Sequence, residues 1–309
     1  MKIGLMQFKP GSSVRSRKLP KDIKMLRDAV KKRGHKPKVL RVDKCQLYYT
    51  RTRPKLLYLG RPFPKVDVII PRFTALENVA LKASIVHQIE MLKMPIIQSY
   101  DSLVRAKNKL RTLQLLTEKS IPVPKTMVVN RFEFLDEAIR KMKKFPIIIK
   151  SPFGSLGKGV AIVESRRSLH SAFDMLLTSS DFNSLLIQEY VAESEGKDIR
   201  VFIIDGKVVA SMERDSGGRD FRSNLALGGK GRMVRLSKEE EAISLAAAKA
   251  LNLKIAGVDL LRSKDGPVIM EVNCNPGLIG ITDVSGLDIA GMIVDYAVKY
   301  RKSLDEPLS

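Results

Sequence analysis

The stretch IAGVDLLRSKDGPVIMEVN, Ile255 to Asn273, decides the fold. Two β-rich runs flank Asp265-Gly266, a strong turn signal, so the stretch reads as a hairpin. Side chains alternate faces along a strand, which points Glu271 and Asn273 the same way. Counted back through the turn, Asp259 falls opposite Glu271 to within about one residue. Three oxygen donors then share one face of a ribbon otherwise built of Val, Leu, Ile and Met. Such hard ligands suit magnesium, which takes few protein groups and leaves positions for nucleotide phosphates. A plain solvated face is the alternative. Against it, an Asn two residues after a Glu is poor strand composition.

A second hairpin precedes this one, DIRVFIIDGKVVASMER, turning at Asp205-Gly206. It follows a strand, LLIQEYV. Glu189 near the end of that strand, and Asp198 with Arg200 at the start of the hairpin, are placed to read ribose and phosphate. Taken singly, each also reads as a surface charge. Between Gly217 and Gly231 lies a long Gly-rich loop carrying DFRSN. Loops this long are uncommon unless they are functional or disordered, and Arg222 there is suited to charge on a transferring phosphoryl group. Lys238 to Leu251 reads as an alanine-rich helix, and Leu287 to Arg301 as a last one.

Upstream, residues 103–119 form one amphipathic helix with Leu103, Ala106, Leu110, Leu113 and Leu116 on a face. An α+β unit follows: strand Lys125–Val129, helix Glu133–Lys144, strand FPIII, the loop KSPFGSLGKGV (Lys150 to Val160), strand GVAIV, and a helix from Ser168 to Leu177. A P-loop lysine must open a helix. Lys158 instead precedes Gly159 and a strand, which excludes that motif. A glycine-rich strand-loop-strand either folds its N–H groups over phosphates or is an ordinary hairpin.

The first hundred residues alternate strand and helix: KIGLM, Lys21–Arg33, KVLRV, VDVIIP, Leu76–Met91 and PIIQS. That order predicts a small α/β domain ending near Tyr100. The fold class is therefore α/β followed by α+β, with boundaries at 1–100, 101–186 and 187–309. The chain has 309 residues and 44% hydrophobic content, an ordinary globular composition. No apolar run approaches the ~18 residues of a membrane span. The opening MKIGLMQFK reads as a first strand, too short in its apolar part for a signal peptide. With Cys45 and Cys274 far apart, a reduced cytoplasmic location is the default, and scattered His35, His87 and His170 argue against a Cys/His metal site.

Charge is the unusual quantity. The net charge is +22, and residues 1–65 hold 20 Lys or Arg against 3 Asp. Such a concentration is either a solubilising face or a docking surface for an acidic peptide, RNA or an anionic membrane.

Lys150 at a strand end, the glycine-rich loop, Gln188-Glu189-Tyr190, D-I-R, F-R-S-N, the Asp259 strand and E-V-N-x-x-P-G-L come in an order that resembles the ATP-grasp fold. More narrowly, they resemble the RimK branch of amino-acid ligases. The likeness runs from about residue 1 to 298, including V-I-I-P-R to Arg72 and the R-A-K-N-K-L helix. The resemblance implies an N-terminal pre-ATP-grasp domain and an ATP-dependent ligase. An acceptor carboxylate would take the γ-phosphoryl group, and an amino acid, glutamate in RimK, would attack the acyl phosphate. It further implies that Lys109 and Lys150 contact ATP phosphates, with Lys150 and Arg222 catalytic. Glu189 and Tyr190 would meet adenine, and Asp198 the ribose. Arg222, Ser223 and Asn224 would line the phosphoryl path. Asp259, Glu271 and Asn273 would hold two magnesium ions, with manganese as a substitute, and the loop 150–160 would be a lid.

The implied partners are glutamate and an acidic acceptor such as a ribosomal protein C-terminus or polyglutamate, docked on the basic domain, with Arg72 as an acceptor contact. The resemblance also implies ribosome association and a dimer or tetramer, with no membrane. Two departures stand out. Ile279–Thr282 lacks acidic residues, and SMERD and ALGG differ from the arginine- and histidine-bearing versions. These lie where acceptor or amino acid would bind. Alternatives are a ligase for a small molecule or carrier protein (lysine or arginine synthesis, or a coenzyme tail) and a non-catalytic ribosome- or RNA-binding protein. An intact Asp259, Glu271 and Asn273 set argues against the last. Cys274 reads as a spacer, not a nucleophile.

Overall fold

The computed structural model describes residues 1–8, 19–73, 79–152, 159–179, 184–194, 196–217 and 229–306. The first unit contains β1 (Lys2–Phe8), α1 (Lys21–Lys32), β2 (Lys36–Arg41), β3 (Cys45–Tyr49), β4 (Pro54–Tyr58), β5 (Arg61–Pro62), β6 (Val68–Phe73) and α2 (Val79–Met91). β1 lies between β2 and β6, both parallel to it. Such strands are covered on both faces, which is why Val68-Ile69-Ile70 is apolar at three successive positions. The expected strand PIIQS contributes only an isolated bridge, Ile96 to Ile69. Sequence reading passed over β3–β4–β5, a separate antiparallel ribbon.

The helix expected over 103–119 is two helices, α3 (Tyr100–Lys107) and α4 (Lys109–Glu118). Asn108 separates them in an extended conformation, and its side chain accepts hydrogen bonds from the Leu110 and Arg111 amides. Asparagine caps a helix well, so a residue inside an unbroken apolar periodicity became a start signal. The break puts Lys109 in a first turn.

The central unit holds β7 (Thr126–Val129), α5 (Leu135–Met142), β8 (Ile147–Lys150), β9 (Val160–Val163), α6 (Arg166–Ser179) and β10 (Leu185–Glu189). Its antiparallel sheet runs β7-β10-β8-β9. The core beneath it, including Leu135, Ile149, Phe173 and Ile187, is its own.

The last unit comprises β11 (Lys197–Ile204), β12 (Lys207–Asp215), β13 (Lys230–Met233), α7 (Lys238–Ala250), β14 (Ile255–Ser263), β15 (Gly266–Asn273), α8 (Ile279–Ser285) and α9 (Ile289–Ser303). Its sheet runs β13-β12-β11-β14-β15. β13 occupies the end of what was read as one loop, and α8 follows P-G-L unannounced. Asp205 and Gly206 take φ of 52° and 68°, as the tight hairpin turn demands. α7 opens with a reciprocal cap between Ser237 and Glu240.

The decisive hairpin turns one residue earlier than expected. Ser263 pairs with Gly266, so Lys264 and Asp265 make the turn. That shift alone would put Met270 across from Asp259. A bulge between Asp259 and Leu260 adds one residue to β15 and restores the pairing of Asp259 with Glu271.

The first and last units are welded. One core joins Met6, Leu40 and Ile69 to Val201, Val258 and Leu260. A second joins Ile3, Leu5 and Val30 to Phe202, Ile289 and Ile293. Leu103 and Leu116 pack into the first of these. Buried Gln98 donates to the carbonyls of Ile255 and Cys274 and accepts from the Lys254 amide. Among the described residues, no helix is long and apolar enough to cross a membrane.

Candidate active site

The site lies where the central sheet meets β15. Lys109, Lys150, Leu186, Met270 and Glu271 line one cleft. Lys150 ends β8 and is 7% exposed. Its ammonium donates to Gln188 Oε1 at 2.8 Å, and the Gln188 amide donates to Thr126 Oγ1 at 2.6 Å. A neutral amide cannot balance the charge. Burial, aided by nearby Lys109 and opposed by Glu271, pushes the Lys150 ammonium down to about 8. Lys109 Nζ stands 3.9 Å from Glu271 Oε1. The two lysines come from separate elements and converge on one face of the decisive hairpin.

The opposite wall is ionic. Asp259 is fully enclosed, paired in register with Arg200 of β11 on one side and Glu271 of β15 on the other. Arg200 Nε donates to Asp259 Oδ1 through a very short contact, and Arg200 Nη2 to Oδ2 at 2.8 Å. Arg214 Nη2 reaches Asp259 Oδ2 at 3.1 Å. The Asn273 amide lies 3.4 Å from the same oxygen. Burial alone would favour a neutral Asp259, but the two guanidinium groups outweigh it and hold the carboxyl below the usual range.

Arg214 also clasps Asp198 through two hydrogen bonds of 2.6 Å. Burial opposes its charge, and Asp259 and Asp198 together raise its pKa regardless. Asp198, expected beside ribose, is 5% exposed and gives both oxygens to Arg214. Sequence reading had seen in SMERD only a departure from pattern. The structure makes its arginine the centre of the buried network. Counting from the Asp205-Gly206 turn puts Glu213 across from Asp198; the register irregularity between Phe202 and Ile203 brings Arg214 there instead, so the pairing was not legible in the sequence.

The remaining candidates divide. Glu189 leaves the central sheet bonded to the facing chain, its amide donating to the Lys125 carbonyl at 2.9 Å and its carboxylate accepting from the Lys125 amide at 2.8 Å. Tyr190 follows, half-buried. Arg222, Ser223 and Asn224, and most of the loop read as a lid, lie outside the described residues. Arg72, expected to meet an acceptor, is 3% exposed. It donates to Asp22 Oδ2 at 2.6 Å and to the Pro276 carbonyl at 2.8 Å, a clamp between β6, α1 and the P-G-L turn. Cys274 is buried, and burial raises its thiol pKa, the opposite of an activated nucleophile.

Asp259, Glu271 and Asn273 bring the oxygen donors of a hard divalent cation to one face of the hairpin, but both Asp259 oxygens are engaged by Arg200 and Arg214, so a cation bound there must displace a guanidinium. Their surroundings define what must come with it. Four cations, Lys109, Lys150, Arg200 and Arg214, stand around three carboxylates, Asp198, Asp259 and Glu271. A cation in this field needs an anionic companion, and a polyphosphate is one.

Known proteins bear on this arrangement. Residues 106–297 match the family model described as the RimK-like ATP-grasp domain, and residues 14–103 match the RimK PreATP-grasp domain. A protein of Methanococcoides burtonii named "Probable alpha-L-glutamate ligase" is 38% identical over 302 residues, 98% of this chain and 97% of the relative. One of the same name from Coxiella burnetii is 37% identical over 279 residues, covering 90% and 92%. Among solved structures, the ATP-grasp ligase PsnB complexed with minimal precursor, Mg and ADP superposes with a TM-score of 0.70 at 17% identity, over 97% of this chain and 98% of that one. The matched span contains both lysines, the arginine-bound carboxylates and the decisive hairpin, and the chain belongs to the RimK family of ATP-grasp proteins.

Proposed function

We propose that this ATP-dependent ligase adds glutamate, once or repeatedly, to the carboxylate of an acidic acceptor. The observation that carries the reading is the meeting of Lys109 and Lys150 with Glu271, the hairpin residue paired with Asp259. Lysine ammonium groups bind phosphate oxygens, and the opposing face supplies oxygen ligands. In the proposed reaction an acceptor carboxylate oxygen attacks the γ-phosphorus of ATP, and the bond to ADP breaks. The glutamate nitrogen then attacks the acyl carbon. Phosphate leaves, and the nitrogen gives up a proton to solvent.

Lys109 and Lys150 orient the phosphates and offset charge as it develops. Glu189 and Tyr190 sit where β10 leaves its sheet, placed to border the adenine. Arg200 and Arg214 keep Asp259 ionised. Asp198 serves the site by aiming Arg214. Arg222, Ser223 and Asn224 are assigned to the phosphoryl path by their motif. Two magnesium ions held by Asp259, Glu271 and Asn273 would neutralise phosphate charge. The acidic acceptor is drawn to Lys31, Lys32, Lys36 and Lys38 around α1 and β2. Arg33, between them in sequence, is engaged by Asp288 and Asp295.

The test is a mass spectrum after incubation with magnesium, ATP, glutamate and a C-terminal Glu-rich peptide. Products spaced by one glutamyl residue are expected. Glu271→Gln should abolish them while the protein stays folded by circular dichroism. Undiminished product from that variant would sink the metal assignment, and no product from the wild type with any acidic peptide would sink the substrate assignment.

A further inference from the structure

The ribbon β3–β4–β5 takes no part in the site. Its inner face anchors it: Leu56 is 4% exposed, and Cys45, Leu47, Tyr58 and Phe63 pack on the core shared with the last unit. Its outward side is unlike the rest of the surface. On it, Tyr48 is 51% exposed, and Lys55 Nζ stands 6.0 Å from the centre of its ring; Tyr49, which strand alternation puts on the face of Cys45 and Leu47, is 66% exposed at the end of β3. Residues 44–66 contain Lys44, Arg51, Arg53, Lys55, Arg61 and Lys65 and no acidic residue. None of these six cations forms a salt bridge among the described residues, although Lys44 stands beside Asp43 and helps hold its carboxyl low. Burial of one face explains the apolar residues of the ribbon. It does not explain two adjacent tyrosines held in solvent among these cations.

We infer that this ribbon is a docking surface for single-stranded RNA. Cations alone would suit any polyanion, an acidic peptide included. The tyrosines distinguish the cases, because a base stacks on an aromatic face and a carboxylate does not. A rigid antiparallel ribbon presents such rings without an ordering cost, and unpaired bases are the usual state of RNA loops rather than of DNA. The ribbon shares no residue with the α1–β2 lysines assigned to the acceptor, so the two readings are tested by different variants.

The test is fluorescence anisotropy of the full chain with labelled oligo-U of about twelve nucleotides, a length within the site sizes of single-strand binders. Binding should weaken with salt, with a log–log slope of about −3 for four phosphate contacts. Tyr48→Ala and Tyr49→Ala should each weaken it about five- to hundredfold, Tyr48→Phe should restore it, and ligase turnover should not change. Equal displacement by a polyglutamate peptide, or unaltered affinity in both alanine variants, would overturn the inference. Equally tight binding of oligo-dT would overturn the assignment to RNA.

Discussion

The two sheets that wall the site treat charge in opposite ways. The central sheet buries Lys150 against a neutral amide, Gln188, and its charge is left unbalanced. The five-stranded sheet buries Asp259 between two arginines, and its charge is more than balanced. Their foundations differ in parallel. The central unit has a core of its own, whereas the five-stranded sheet shares two cores with the first unit. The difference teaches which half is prepared in advance. The carboxylate wall is assembled by the fold and stays ionised without a ligand. The lysine wall holds a charge that burial disfavours, and a bound anion would stabilise it.

The largest expected effect breaks the balanced wall. Asp259→Ala leaves Arg200 and Arg214 with Asp198 as the buried carboxylate still bonded to Arg214 among the described residues. Loss of one member of a buried ionic group costs about 3–5 kcal/mol. Urea unfolding should show a loss of that order, and turnover should vanish. A variant as stable as wild type would mean that the arginines, not Asp259, organise the wall.

A smaller effect sharpens the unbalanced wall. Lys150→Met should lower kcat by about a hundredfold, as for other groups that stabilise charge during transfer. The pH dependence carries a sign. The folded lysine titrates near 8, below its ordinary 10.5. The unfolded chain therefore binds more protons in that window. The cost of burying the charge is fully present below pH 8 and fades as pH rises toward 10.5. Nucleotide affinity runs the other way, since phosphate needs the charged form. The KM for ATP should climb above pH 8, and Lys150→Arg, charged throughout, should flatten the climb. A wild-type KM that stays constant to pH 9.5, a unit or more past the titration, would remove Lys150 from the phosphate contacts.

The smallest effect tests how tightly the carboxylate wall is fitted. A Cβ at Gly257, opposite Asn273, would stand 2.7 Å from Pro276 Cβ and 3.2 Å from Arg200 Cδ. Gly257→Ala should cost about 1–3 kcal/mol by overpacking, read as a fall in melting temperature. It should also shift Arg200 and weaken magnesium-dependent turnover. An unchanged melting temperature would show that the P-G-L turn yields easily.

While missing β3–β4–β5, β13 and α8, the sequence by itself determined most of the order of elements, the two hairpins and the alignment of Asp259 with Glu271 and Asn273. Those follow from local rules: period-two alternation, Asp-Gly turns and apolar runs act over a few residues. It also marked Lys150 as a strand end. It did not locate the break at Asn108, because a capping side chain competes with helix periodicity and only packing decides the winner. Nor did it place the bulge at Met270, without which the hairpin would present the wrong residue to Asp259. The pairing of Arg214 with Asp198 and Asp259, and the retreat of Arg72 into a clamp, were settled by the tertiary structure alone. The physical reason is common to all of these. A buried charge takes the partner that three-dimensional enclosure brings to it, and enclosure is a property of strands and cores far apart in the chain.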